Sequence, residues 1–290
     1  PVVRVGGAEG NHALGAHSVG MQTTLPPTTD IITHLFVRVD DQLGPVPRHP
    51  LAKLHVSEIV ALGLLFGLKG TGFKGFYRWI SRDYLSLFPN LPERSRLSRL
   101  ITRYAALCAE FLGEPSFFTI IDCYPIELIH PRREGRAKHS LAKKSKDKGR
   151  WAVGIKLCGV INDFGEIVNF GWQPMNRHDQ VFYPLVSALN GQSIVMGDWG
   201  FRSAKKDSIP ENLKLCKKGT WNVRMQVETA FSLVTRIMNL KHMDHRQEAY
   251  LTAHLAYVAA VFNILLAWSR EFFGWTGEDA FRMHLASFSL

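Results

Sequence analysis

Three acids in this sequence stand where an acid is costly unless it has a task or a partner. Asp122 follows the aromatic and β-branched run 117–121, Asp198 follows the short apolar run 193–196 and Gly197, and Glu228 borders an apolar helical stripe. Hard divalent cations prefer oxygen ligands, and two ions that bracket a phosphodiester need carboxylates converging from distant parts of a chain. Strand ends are natural sources of such groups. If the strands ending at Asp122 and Asp198 are parallel neighbours, their C-terminal ends meet at one edge of the sheet and the two carboxylates meet with them. Taken singly, an Asp at a strand end is usually a turn or cap residue, and a Glu on a helix is usually solvated. Together, the three acids at these positions are what a two-metal site requires.

Glu228 belongs to a segment read as a helix over 221–240. At about 100° per residue, Val227, Ala230, Phe231, Val234 and Met238 form its buried stripe, and Arg224, Glu228 and Thr235 cluster within about 40° of one another at the edge. An acid at that edge can reach a cleft while the helix body packs on a sheet. Arg224, one turn earlier, can pair with Glu228 or with a phosphate.

The elements that must position these residues follow from periodicity. Strands are expected at 117–121, 153–161 and 166–170, the last two joined by a turn at Asp163, Phe164 and Gly165. A helix with Asp179 in its first turn and a body at 181–189 comes next, then a strand at 193–196, a weak strand at 213–216, and helices at 221–240 and 247–270. Three strands, a helix, two strands and a helix is the order of the ribonuclease H-like fold, an α/β class with a mixed sheet flanked by helices. Upstream, the stretch 31–112 is helical in pattern: Ser57 can cap the run 58–68, aromatics recur at helical spacing over 73–87, and Pro92 opens a third helix. On that helix Arg96, Arg99 and Arg103 share the face opposite the apolar one. The expected division is a Gly, Pro, Thr and Ser-rich tail at 1–30, an all-helical N-terminal domain at 31–113, the α/β domain bearing the three acids at 114–272, and a tail at 273–290.

Composition narrows the partners. Of 290 residues 46% are hydrophobic, with 18 Phe and 7 Trp, which supplies a core and excludes global disorder. Lys and Arg number 35 against 25 Asp and Glu, a formal charge of +10 that favours a polyanion. Most of that excess lies in 132–150, where nine Lys or Arg face only Glu134 and Asp147. This run is expected as a flexible loop at the rim of the site, with Arg132, Arg133, Arg136, Lys138, Lys143, Lys144, Lys146, Lys148 and Arg150 along DNA and Lys156 beside them. The apolar run 251–268 is interrupted by Thr252, His254 and Asn263 and reads as a buried core helix rather than a membrane span. Cys108, Cys123, Cys158 and Cys216 lack the close sequence pairs of a zinc site and read as buried thiols in a reducing compartment. His242 and His245, with Asp244 between them, lack a third ligand and read as an interhelical turn.

Four segments carry a resemblance. Ile121, Asp122, Cys123, Tyr124 and Pro125 form the first, and Val153 through Leu157 the second. The third is Gln173, Pro174, Met175, Asn176, Arg177, His178 and Asp179. The fourth couples Gly197, Asp198, Trp199, Gly200, Phe201, Arg202 and Ser203 with Arg224, Met225, Gln226, Val227 and Glu228. Together they resemble the DDE-type transposases of bacterial insertion sequences, in the group with a compact catalytic core. The resemblance implies Asp122, Asp198 and Glu228 as a metal-binding triad with Arg224 in support. It also implies two Mg²⁺ ions, with Mn²⁺ as a substitute, and cleavage of double-stranded DNA at element ends followed by strand transfer. A homodimer in the active complex and a cytoplasmic, nucleoid-associated location, with no membrane, are implied too. Two departures stand out: Trp221 and Thr235 occupy positions where related enzymes often carry Tyr and Lys. Trp199 stands where Lys is frequent, and core packing is the expectation for it over stacking on an unpaired base. The rival readings are a nuclease of the same fold that only hydrolyses DNA and a catalytically inactive, transposase-derived DNA-binding protein.

Overall fold

Apolar side chains at helical spacing organise the first part of the chain. The computed structural model describes residues 27–273, apart from positions 48, 136–140, 148, 217–223, 241, 242 and 244. Helix α1 (Thr28–Leu43) buries Ile31, Ile32, Leu35 and Val39. Its start at Thr28 places the last three residues of the expected tail inside a helix. Helix α2 (Val56–Lys69) is apolar almost all round and runs through the centre of the core. Ser57 does not cap it. His55 is the N-cap, Glu58 accepts from the His55 backbone N–H at 2.6 Å, and the Ser57 hydroxyl donates to Asp40 at 2.5 Å. Helices α3 (Phe73–Asp83) and α4 (Arg94–Tyr104) complete the N-terminal layer.

The sheet has six strands: β1 (Phe118–Ile129), β2 (Lys143–Asp147), β3 (Arg150–Asn162), β4 (Ile167–Pro174), β5 (Ile194–Gly197) and β6 (Leu213–Leu215). Strand β3 pairs antiparallel with β1, and β1 pairs parallel with β5, which pairs parallel with β6. On its other side β3 is shared, with residues 150–154 pairing with β2 and residues 155–161 with β4. Helix α5 (Tyr183–Ser187) covers one face of the sheet; α6 (Arg224–Ile237) and α7 (Glu248–Phe273) lie on the other. A mixed sheet flanked by helices and preceded by a helical region is the ribonuclease H-like arrangement expected from the element order.

Two expectations change. Strand β1 does not end at Asp122 but continues to Ile129, because its antiparallel ladder with β3 runs on after the parallel ladder with β5 has stopped at Ile121 and Gly197. The stretch expected as a flexible basic loop contains β2, whose backbone hydrogen bonds to β3 hold the residues 143–147 at the sheet edge.

Helix α7 joins the layers. Gly63 on α2 faces the buried Tyr257 ring so closely that a Cβ there would fall 2.2 Å from a ring carbon. The Tyr257 hydroxyl donates to the Ile101 carbonyl of α4 at 3.0 Å. The polar interruptions of α7 have partners: Asn263 accepts from the Ile167 N–H at 2.8 Å and donates to the Phe111 carbonyl at 3.0 Å, and Thr252 accepts from the Trp172 indole at 3.0 Å. This helix is long and apolar enough to cross a membrane, yet 83% of its most apolar window is buried inside the protein. One continuous core contains residues of α1, α2, α4, α6 and α7 together with one face of the sheet, so the helical region and the sheet share an interior.

Candidate active site

The parallel pairing of β1 with β5 ends with Ile121 opposite Gly197, so the next residues, Asp122 and Asp198, leave adjacent strands side by side. Strand alternation fixes their face. Ile121, Val195 and Phe201 pack in the core beneath α5, whereas Ile120 and Met196 pack on the α6 and α7 side; Asp122 and Asp198 share the parity of the latter pair. Asp122 accepts from the Cys123 N–H at 2.8 Å. Asp198 accepts from the Gly200 N–H at 2.8 Å and caps the 3-10 turn Trp199–Phe201, so the carboxylate is held by the turn it begins.

Helix α6 crosses the same face. Its expected stripe is buried at Ala230, Phe231, Val234 and Met238. Phe231 stacks on Tyr124 of β1, with ring centroids 5.7 Å apart and 20° between planes. Glu228, three residues earlier, is exposed. Arg224 opens the helix, and its side chain, like that of Val227, lies outside the described residues, as do Arg136, Lys138, Lys148 and Trp221. Among the described residues no three His, Cys, Asp or Glu side chains group closely enough to hold one ion, so Glu228 is not gathered with the two aspartates into a closed site.

A third acid stands near them. Asp179 opens the 3-10 turn Asp179–Phe182, and a Cβ on Gly200 would lie 2.4 Å from an Asp179 oxygen and 2.9 Å from an Asp198 oxygen. A side chain at position 200 would have to displace one or both of these carboxylates. Asp179 accepts from the Lys156 ammonium at 2.6 Å, and the same ammonium donates to the Arg177 carbonyl at 2.9 Å. The Lys156 head group is thus directed at Asp179, although the sequence suggested DNA. The turn also braces the loop after Asp198: the Tyr183 hydroxyl donates to the Phe201 carbonyl, and the Gln180 amide donates to the Arg202 carbonyl. Sequence reading placed Asp179 in a motif without a task. Its signal was the Asn176 to Asp179 segment, but the contact with the Asp198 loop is tertiary.

Among the described residues, the acidic side chains at this edge of the sheet, Asp122, Asp179 and Asp198, offer oxygen donors. Cys123 and Cys158 face one another across β1 and β3, and burial pushes both thiols far up, away from the thiolate that would bind a softer metal. The negative charge of Asp179 adds to that upward shift for both, and that of Asp122 adds to it for Cys158. Such oxygen donors fit a hard divalent cation.

Beside the site, Trp199 is 47% exposed, with the Arg202 guanidinium 6.0 Å from its ring centroid. The expected core packing of Trp199 is not found, because the tight 198–201 turn buries Phe201 and turns Trp199 outward. Arg132, Arg133, Lys143, Lys144, Lys146 and Arg150 are exposed on the β1 to β3 connection, and Arg96, Arg99 and Arg103 are exposed on α4. His242 and Asp244 lie outside the described residues, and His245 hydrogen-bonds to Nδ1 of His254 at 2.6 Å.

No curated protein matches the chain. Residues 112–218 match the family model described as Transposase DDE domain, a span that includes Asp122, Asp179 and Asp198 and stops ten residues short of Glu228. With the mixed sheet and the register that sets Asp122 and Asp198 after the paired ends of β1 and β5, this match over part of the chain supports a DDE-type transposase.

Proposed function

We propose that this protein cleaves double-stranded DNA at the ends of a mobile element and transfers the freed strand into target DNA, with Asp122, Asp198 and Glu228 as the ligands of two Mg²⁺ ions. The observation that carries the reading is the register of β1 and β5, which sets two carboxylates from strands 76 residues apart next to each other on the face crossed by α6. Bound there, divalent cations supply Lewis-acid polarisation of the phosphate and a nucleophilic water at neutral pH.

The chain's own residues position the parts. Asp122 and Asp198 each accept a backbone N–H at 2.8 Å, which limits the freedom of both carboxylates. Glu228 sits on a helix pinned over β1 by the stacking of Phe231 on Tyr124. Arg224, one turn before Glu228, supports that acid or a phosphate. Lys156 and Asp179 hold the Asp198 loop. In cleavage, the oxygen of water adds to phosphorus and the bond to the 3′ oxygen breaks, leaving a 3′ hydroxyl. In transfer, that 3′ oxygen adds to a target phosphate and the target's own 3′ oxygen leaves. The exposed cations at 132–150 and on α4 supply phosphate contacts for element ends and target, and a homodimer brings two ends together.

The test is purified protein on DNA carrying the element's own ends, with Mg²⁺ and with Mn²⁺ in its place. Strand-transfer product distinguishes a transposase from a nuclease of the same fold. Product that is absent from wild type under both metals, with DNA binding intact, supports the catalytically inactive alternative.

A further inference from the structure

The edge hairpin formed by β2 and β3 carries an exposed tryptophan among cations. Trp151 is 54% exposed, the Lys144 ammonium lies 5.1 Å from its ring centroid, and Lys146 is its register partner across the ladder. Antiparallel partners and residues two apart share a face, so Lys144, Lys146 and Trp151 form one surface, with Lys143 and Arg150 on the opposite face. A large indole left in water on a strand whose inner neighbours Ala152 and Val153 are 4% and 1% exposed is not serving the core. Two of the cations already face acids, Lys144 with Glu134 at 3.3 Å and Arg150 with Glu127 at 3.4 Å. Both pairs are open to solvent and so can exchange for phosphate.

The strand is also a ruler. Asp122 is opposite Gly159, and Trp151 lies eight positions back along β3, beyond the C-terminal end of β1. At ~3.3 Å per residue this is roughly 26 Å from the paired aspartates, the length of about eight base pairs at ~3.4 Å each. The hairpin therefore projects from the same end of the sheet as the acids.

We infer that this hairpin is a DNA-tracking arm: its lysines follow the phosphates of duplex flanking the cut, and Trp151 stacks on a base unstacked from that duplex. The inference rests on the DNA-cleaving reading above and adds a contact that this reading does not require. Aromatic stacking tolerates any base because every base has a π face, whereas lysines add unspecific attraction.

The test measures anisotropy of two labelled 30-base-pair duplexes, one fully paired and one with a central unpaired base, titrated with full-length protein without divalent metal. Wild type should prefer the duplex with the unpaired base. Trp151→Ala should lose that preference, with affinity for that duplex falling about tenfold or more, while Trp151→Phe retains it. Replacing Lys144 and Lys146 by Gln should weaken both duplexes alike and lower the slope of log affinity against log salt by ~0.9 per lost phosphate contact. Equal binding of both duplexes by wild type, or unchanged binding by a Trp151→Ala protein of unchanged melting temperature, overturns the inference. Cleavage by wild type in Mg²⁺ and its dependence on Asp122 are scored separately, so failure of the arm and failure of the catalytic reading give different results.

Discussion

Phe231 of α6 lies nearly parallel to the ring of Tyr124 on β1, 5.7 Å between centroids, and this contact ties the helix that bears Glu228 to the strand that bears Asp122. The aromatic pair therefore helps to set the spacing of the two acids. Replacing Phe231 by Leu keeps an apolar group but loses the ring. Stability should fall by less than the about 3–5 kcal/mol typical of Phe→Ala, whereas DNA cleavage should fall at least tenfold. A thermal melt run beside a cleavage time course checks both; undiminished cleavage by Phe231→Leu would remove the positioning role of the pair.

Gly200 should tolerate no side chain without loss of function. A Cβ at this position meets one oxygen of Asp179 and one of Asp198, and both are ends of short side chains whose movement changes the site more than the fold. Gly200→Ala is expected to leave the melting temperature within a few degrees and to reduce cleavage strongly. A protein that unfolds instead would show that the constraint is on the backbone.

The pair of Lys156 and Asp179 should behave as a coupled unit. Both side chains are 20% exposed, and removing Lys156 alone leaves the Asp179 charge close to Asp198 without its counterion. Lys156→Met should therefore be more damaging than Lys156→Met combined with Asp179→Asn, with a coupling free energy of about 1–2 kcal/mol in a double-mutant cycle on stability. Additive effects would mean that the ion pair is incidental.

His254 gives the fold a dependence on acid. It is stacked on Phe66 with centroids 4.3 Å apart, and burial, with a smaller contribution from His245, lowers its pKa to about 3. A folded-state pKa below the ordinary histidine value means that the unfolded chain binds the proton first, so stability is full above about pH 6.5 and is lost as pH falls toward 3. Denaturant unfolding from pH 7 to pH 4 should show this loss in wild type and a shallower one in His254→Phe. Identical slopes would assign the acid sensitivity to other groups.

Much of this architecture was legible in the sequence because its signals are local. The alternation of β3, the turn before Gly165 and the apolar stripe of α6 all announce themselves within a few residues of chain. What was hidden depends on pairing between distant segments. The continuation of β1 past Asp122 is imposed by β3, and the ordering of 143–147 into β2 is imposed by the exposed edge of β3 beyond β4; a run of lysines carries no strand signal of its own. The His55 cap of α2 was masked by Ser57, a better cap by residue type, whose hydroxyl is engaged by Asp40 instead. Asp122 and Asp198 could be picked out as strand-end acids, but the approach of Asp179 to Asp198 through Gly200 is a tertiary contact with no local pattern.

Asp122, Asp198 and Glu228 are proposed to act as one metal-binding unit on DNA. The most direct measurement of this role is the rate of cleavage and strand transfer by Asp122→Ala, Asp198→Ala and Glu228→Ala in Mg²⁺, each beside its own DNA-binding isotherm and thermal melt. Losses of several orders of magnitude are expected in all three, with binding and melting temperature close to wild type. Cleavage at the wild-type rate by Glu228→Ala would contradict that role.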